Sequence, residues 1–130
     1  PTTWSEDENV AWKIELPGEG HSSPVIASDE IWLTTAIAEP ITEDARKKKL
    51  AANTGSQPLT LVGKLSMRAL CIDRKTGELL KNIEVLVHED PQWTHEINTF
   101  ASPSPVLDDG KLYCSFGSHG SACLDINTGK

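Results

Sequence analysis

Cys71-Ile72-Asp73-Arg74-Lys75-Thr76-Gly77-Glu78 returns 52 residues later as Cys123-Leu124-Asp125-Ile126-Asn127-Thr128-Gly129-Lys130. The shared pattern is an apolar pair, then Asp-x-x-Thr-Gly. An Asp at that place can accept backbone N–H groups of the next residues, and a Gly four positions on can take the left-handed conformation that closes a turn. Each copy therefore reads as a strand running into a tight hairpin turn. Asp73, Thr76, Gly77, Asp125, Thr128 and Gly129 are expected to be structural and not chemical residues.

A second pair lies upstream. Ser23-Pro24-Val25-Ile26 is matched by Ser104-Pro105-Val106-Leu107, at an offset of 81. Each is followed by a short acidic turn and then by Glu30-Ile31-Trp32-Leu33 or Lys111-Leu112-Tyr113-Cys114. Internal repetition is the sequence signature of stacked units that bury faces against each other. The unequal offsets predict an insertion at residues 38–64 of the first copy. Pro40, Pro58 and the Asn53-Thr54-Gly55-Ser56 run mark that insertion as loop. Within it, 42–52 can form a short surface helix capped by Thr42. Short β-branched and aromatic runs between turn signals predict strands over 10–16, 24–27, 30–36, 65–73, 78–87, 104–107, 111–116 and 121–125. Pro24 and Pro105 open their strands, where the missing N–H costs no ladder bond.

The chain of 130 residues is 38% apolar, 24% charged and 5% aromatic, with a formal net charge of −7. These values fit a single globular domain. No stretch reaches the roughly 20 apolar residues that cross a bilayer, and Glu6, Asp7 and Glu8 do not read as the basic start of a signal peptide. Acidity argues against nucleic acid as a partner. The one dense basic run, Arg46, Lys47, Lys48 and Lys49, reads as a solvated segment. Cys71, Cys114 and Cys123 lack metal or redox spacing and read as buried free thiols.

These motifs resemble the quinoprotein-like (PQQ-like) β-propeller repeat family, in which a unit begins near S-P-x-[VI] and passes through a D-x-x-T-G-[KE] turn. The resemblance implies an all-β fold built of propeller blades, each of four antiparallel strands, with about two blades' worth in this chain. Residues 1–22 would be the outer strand of a preceding blade and a connector, 23–94 a full blade with its insertion, and 95–130 three strands of the next. Ala11-Trp12-Lys13-Ile14 resembles the family's docking tryptophan and outer strand. Leu80 stands where the next such tryptophan would come. Two blades cannot close a ring. The resemblance thus implies that the missing blades come from a longer chain or from homo-oligomerisation, with three or four copies each lending an N-terminal strand.

The function implied is a non-catalytic scaffold that binds a protein or ligand; the alternative is part of a PQQ-dependent alcohol or sugar dehydrogenase. That second reading would need pyrroloquinoline quinone and calcium. Its stacking tryptophan, Glu/Asn/Asp calcium cage and catalytic Asp cannot be matched here residue by residue, so no cofactor, metal or catalytic residue is expected. The family also implies a periplasmic, secreted or cell-envelope location. No nucleophile elbow or phosphate loop is present. His21 and His95 each precede a Ser-Pro strand start, Trp93 lies in a loop, and Asn98 follows it. His21, Trp93, His95 and Asn98 are the candidate ligand-binding residues, near the expected channel mouth.

Overall fold

The computed structural model describes residues 2–130. Its longest strands come from the segments richest in β-branched and apolar residues. β1 (Val25–Ala27), β2 (Glu30–Glu39), α1 (Glu43–Ala52), β3 (Leu59–Thr60), β4 (Lys64–Asp73), β5 (Leu79–His88), β6 (Thr94–His95), β7 (Val106–Asp108), β8 (Lys111–Ser115) and β9 (Ser121–Asp125) follow in that order. They form three antiparallel sheets. One has the order β1-β2-β4-β5, one is the β3-β6 pair, and one has the order β7-β8-β9.

The two repeat turns have the same internal bonding. Asp73 Oδ1 accepts from the N–H of Lys75 and of Thr76, both at 2.8 Å, and from Thr76 Oγ1 at 3.0 Å. Asp125 Oδ1 accepts from Asn127 N and Thr128 N, both at 2.9 Å, and from Thr128 Oγ1 at 3.2 Å. Gly77 and Gly129 take φ of 77° and 71°. A carboxylate that accepts several donors is favoured in its charged form. Thr76, foremost through its N–H and then its hydroxyl, holds the Asp73 carboxyl below its ordinary range. The Thr128 N–H does the same for Asp125.

Alternation decides which faces are buried. Trp32 lies opposite Cys71, Thr34 opposite Ala69 and Ala36 opposite Met67, and all six are buried. This face packs on Leu112, Cys114 and Leu124 of the β7-β8-β9 sheet and on Phe116 just after β8, with Phe100 and Ala101 completing the core. Each fully buried Leu or Met side chain contributes roughly 2 kcal/mol of transfer free energy. Hydrogen bonds also tie the two halves of the chain together. Ser23 N donates to Ser104 Oγ at 2.8 Å, Thr34 Oγ1 to the Pro103 carbonyl at 3.3 Å, and Lys81 Nζ to the Ile126 carbonyl.

The other face of the first sheet meets the N-terminal connector. Trp12 Nε1 donates to the Arg74 carbonyl at 3.0 Å, and its ring lies flush on Gly77, where a Cβ would stand 2.7 Å from the indole. Farther along, Thr35 Oγ1 donates to the Pro17 carbonyl, and Glu19 exchanges two backbone hydrogen bonds with Ala36.

The helix forms as the Thr42 cap predicts, with Thr42 Oγ1 accepting from Ala45 N at 3.4 Å. It buries no residue, and Lys49 ties it to Asp90 at 2.6 Å. Two expectations are corrected. Residues 10–16 alternate half-buried Trp12 and Ile14 with exposed neighbours but form no strand, because no ladder partner stands beside them. The fold is mixed, with a helix and three separate sheets; none closes or curls into a ring, so the all-β propeller of four-stranded blades is not what the chain forms.

Candidate functional site

The insertion and the approach to the second Ser-Pro strand meet through β3 and β6. Leu59 pairs with His95 and Thr60 with Thr94, and Glu96 N donates to the Pro58 carbonyl at 3.2 Å. Opposite them runs the connector of residues 18–21, pressed on β2. Gly18, at φ 78°, lies so close to β2 that a Cβ would stand 2.4 Å from the Ala36 carbonyl oxygen, and a Cβ on Gly20 would be 2.7 Å from that of Thr34. Only glycine permits that approach. The connector thereby places His21, whose N–H is held by the Ala101 carbonyl at 3.1 Å and by Thr99 Oγ1 at 3.2 Å.

Between these walls is a cavity of about 610 Å³. Glu19, His21, Thr60, Glu96, Asn98 and Thr99 give it polar groups, and Ala36, Ile37, Val62 and Phe100 give it an apolar side. A turn in which Thr99 N donates to Ser102 Oγ and Ser102 Oγ to the Thr99 carbonyl, both at 3.0 Å, fixes the wall that carries Asn98 and Phe100. Across that wall lies a second cavity of about 310 Å³, which Trp93, Phe116 and His119 line together with Asn98, Thr99 and Phe100.

The structure thus brings His21 and Asn98 into one cavity and sets Trp93 beside Asn98 in its neighbour. His95 lines neither of these two cavities; its Nδ1 accepts from Ile97 N at 3.3 Å. His119 was missed as a wall residue. Its ring meets Phe100 edge-on, with centroids 5.4 Å apart, and its Nε2 donates to the Gln92 carbonyl at 3.3 Å. His88 Nε2 in turn donates to the His119 carbonyl at 2.8 Å. Gly117 and Gly120 around His119 were the only sequence signal of that tight turn. Glu19, Glu96 and Thr60 carry no motif; only the β3-β6 pairing and the Glu19–Ala36 bridge assemble them.

Ring hydrogen bonds of His88, His95 and His119 all go to backbone groups. Among the described residues, no group of three or more His, Cys, Asp or Glu side chains is placed to hold a metal ion. Burial pushes the Cys71 and Cys114 thiols up to about 11, so both stay protonated at neutral pH. Among the described residues, no helix is long and apolar enough to cross a membrane.

No family model, curated protein or solved structure matches this chain. Together with the three unclosed sheets, this overturns the quinoprotein-like resemblance. The readings that hung on it, a non-catalytic propeller repeat module and part of a PQQ-dependent dehydrogenase, fall with it. The Asp-x-x-Thr-Gly motif specifies a hairpin turn, and a hairpin turn is compatible with many sheet arrangements.

Proposed function

We propose that this chain is a small-molecule-binding domain whose site is the 610 Å³ cavity between β2, the β3-β6 pair and residues 18–21. One observation carries the reading. Polar side chains from three separated stretches, Glu19 and His21, Thr60, and Glu96, Asn98 and Thr99, converge on a cavity whose other side is apolar. Ligand sites typically occupy about 300–1,000 Å³ and combine an apolar wall with a few convergent polar groups.

Charge narrows the ligand class. Two carboxylates, Glu19 and Glu96, line the cavity of a chain with net charge −7. Anions are repelled there, and a small amine carrying hydroxyl or amide groups is favoured. Its ammonium would lie toward the carboxylates, with His21 and Asn98 bonding its polar groups and Phe100 supplying the apolar contact. Glucosamine, glucose and citrate serve as cationic, neutral and anionic probes of similar size. Isotope-edited NMR titration should move the amides of His21, Asn98 and Thr99 with glucosamine, less with glucose and not with citrate. Glu19→Gln/Glu96→Gln should abolish the preference for the cation. Citrate binding as well as glucosamine, or shifts confined to another surface, would sink the assignment.

A further inference from the structure

The 310 Å³ cavity shares Thr94, Asn98, Thr99 and Phe100 with the 610 Å³ cavity, so the two adjoin along that one stretch. Their linings differ in kind. Glu19 and Glu96 stand on the larger one, whereas among the described residues no Asp, Glu, Lys or Arg lines the smaller. Ring side chains line it instead: Trp93, Phe100, Phe116 and His119. Phe100 and Phe116 belong to the buried core, so their part of the lining is fixed. Trp93 is 44% exposed, a large ring left open to solvent at the side of the cavity.

The rings are held in place before any ligand arrives. Lys49 of α1 pairs with Asp90 at 2.6 Å and also donates to the Pro91 carbonyl, while His119 Nε2 donates to the Gln92 carbonyl at 3.3 Å. Asp90, Pro91 and Gln92, the residues leading to Trp93, are thus pinned by the insertion helix on one side and by the turn that carries His119 on the other. The His119 ring meets Phe100 edge-on at 5.4 Å and His88 edge-on at 5.6 Å between centroids. A site ordered in advance loses less freedom on binding. Because Nε2 donates to Gln92, the neutral His119 ring keeps Nδ1 as an acceptor. Among the described residues, neither that atom nor the side-chain amide of Asn98, which stands on both cavities, has a hydrogen-bond partner in the protein.

We infer that the two cavities are two parts of one ligand site, the smaller taking a single aromatic ring joined to the amine-bearing head that the larger takes. The inference rests on the reading of the larger cavity as an amine site. Charge fixes the direction in which the ligand lies: the ammonium toward Glu19 and Glu96, the uncharged ring among Trp93, Phe100 and Phe116. Aromatic linings favour a ring over an aliphatic group of equal area, because ring pairs gain from edge-to-face and offset contacts. An apolar cavity of about 150 Å³ already takes up benzene, so one of about 310 Å³ holds a ring with a substituent. His119 Nδ1 offers an acceptor to a hydroxyl on that ring, and Asn98 serves the polar atoms where head and ring join.

Isotope-edited NMR titration with glucosamine, phenol and 4-hydroxyphenyl β-glucosaminide separates the two parts. Phenol alone should move the Trp93 indole N–H and the amides of Gly117 and His119. The linked probe should move these together with the amides of His21, Asn98 and Thr99, and should bind about tenfold or more tighter than glucosamine. Trp93→Ala, with its circular dichroism unchanged, should lose that gain. Glucosamine binding with no gain for the linked probe, or a gain that survives Trp93→Ala, overturns the inference and leaves the amine reading standing. Phenol that moves only other surfaces overturns it as well. Phenol that moves Trp93 while glucosamine moves nothing sinks the amine reading, and the single two-part site with it.

Discussion

Replacing Gly77 with alanine should cost distinctly more than the same change at Gly110, although both glycines sit at nearly the same positive φ, 77° and 72°. Holding an alanine in the left-handed region costs about 1–2 kcal/mol at either place. At Gly110 the new Cβ meets nothing nearer than Asn127 Nδ2 at 3.9 Å, so that is the whole effect. At Gly77 the Cβ would stand 2.7 Å from the Trp12 indole, inside any tolerated contact. The indole must lift, losing part of its packing and straining its hydrogen bond to the Arg74 carbonyl. One net hydrogen bond is worth about 1 kcal/mol, and the lost packing raises the excess to about 1–2 kcal/mol. For a domain of this size the difference is about 4–8 °C in Tm. Urea unfolding followed by circular dichroism measures both variants, and the Trp12→Ala background supplies the control. There the excess at Gly77 should vanish. Equal losses at the two glycines, or an excess that survives Trp12→Ala, would refute the claim that the indole seat is what makes this turn demanding.

Acid should weaken the fold through the two repeat turns. Asp73 and Asp125 have folded pKa values below the ordinary 3.8. Their contribution is therefore complete above the unfolded value and is lost as pH falls through the folded one. Asp73→Asn/Asp125→Asn keeps the acceptor oxygens but not the charge, so its Tm should fall less steeply than the parent's between about pH 4 and pH 2; parallel curves would remove the turns from the acid response. Thiol chemistry gives a further check on burial. In dilute native protein, Ellman's reagent should titrate Cys123 promptly, with Cys71 and Cys114 reacting only in denaturant. Rapid native reaction of all three would show that the two sheets do not pack as described.

The sequence by itself determined what is short-range. The Asp-x-x-Thr-Gly turns, the Thr42-capped helix and the strand segments other than 10–16 are written in residues a few positions apart, where one carboxylate or hydroxyl can satisfy nearby N–H groups. His21, Trp93 and Asn98 were legible as loop residues beside strand starts. Only the tertiary structure decided what the sheets do with each other. Ring closure, the failure of residues 10–16 to find a ladder, and the pairing of Leu59 with His95 depend on contacts between distant segments. Their loop-closure entropy and packing leave no local mark. The same holds for the cavity. Glu19, Thr60 and Glu96 become one site because Gly18 and Gly20 let the connector lie on β2 while β3 finds β6 across the fold. A repeat in the sequence fixes the shape of each turn; the packing of whole faces fixes how many sheets form and where they stop.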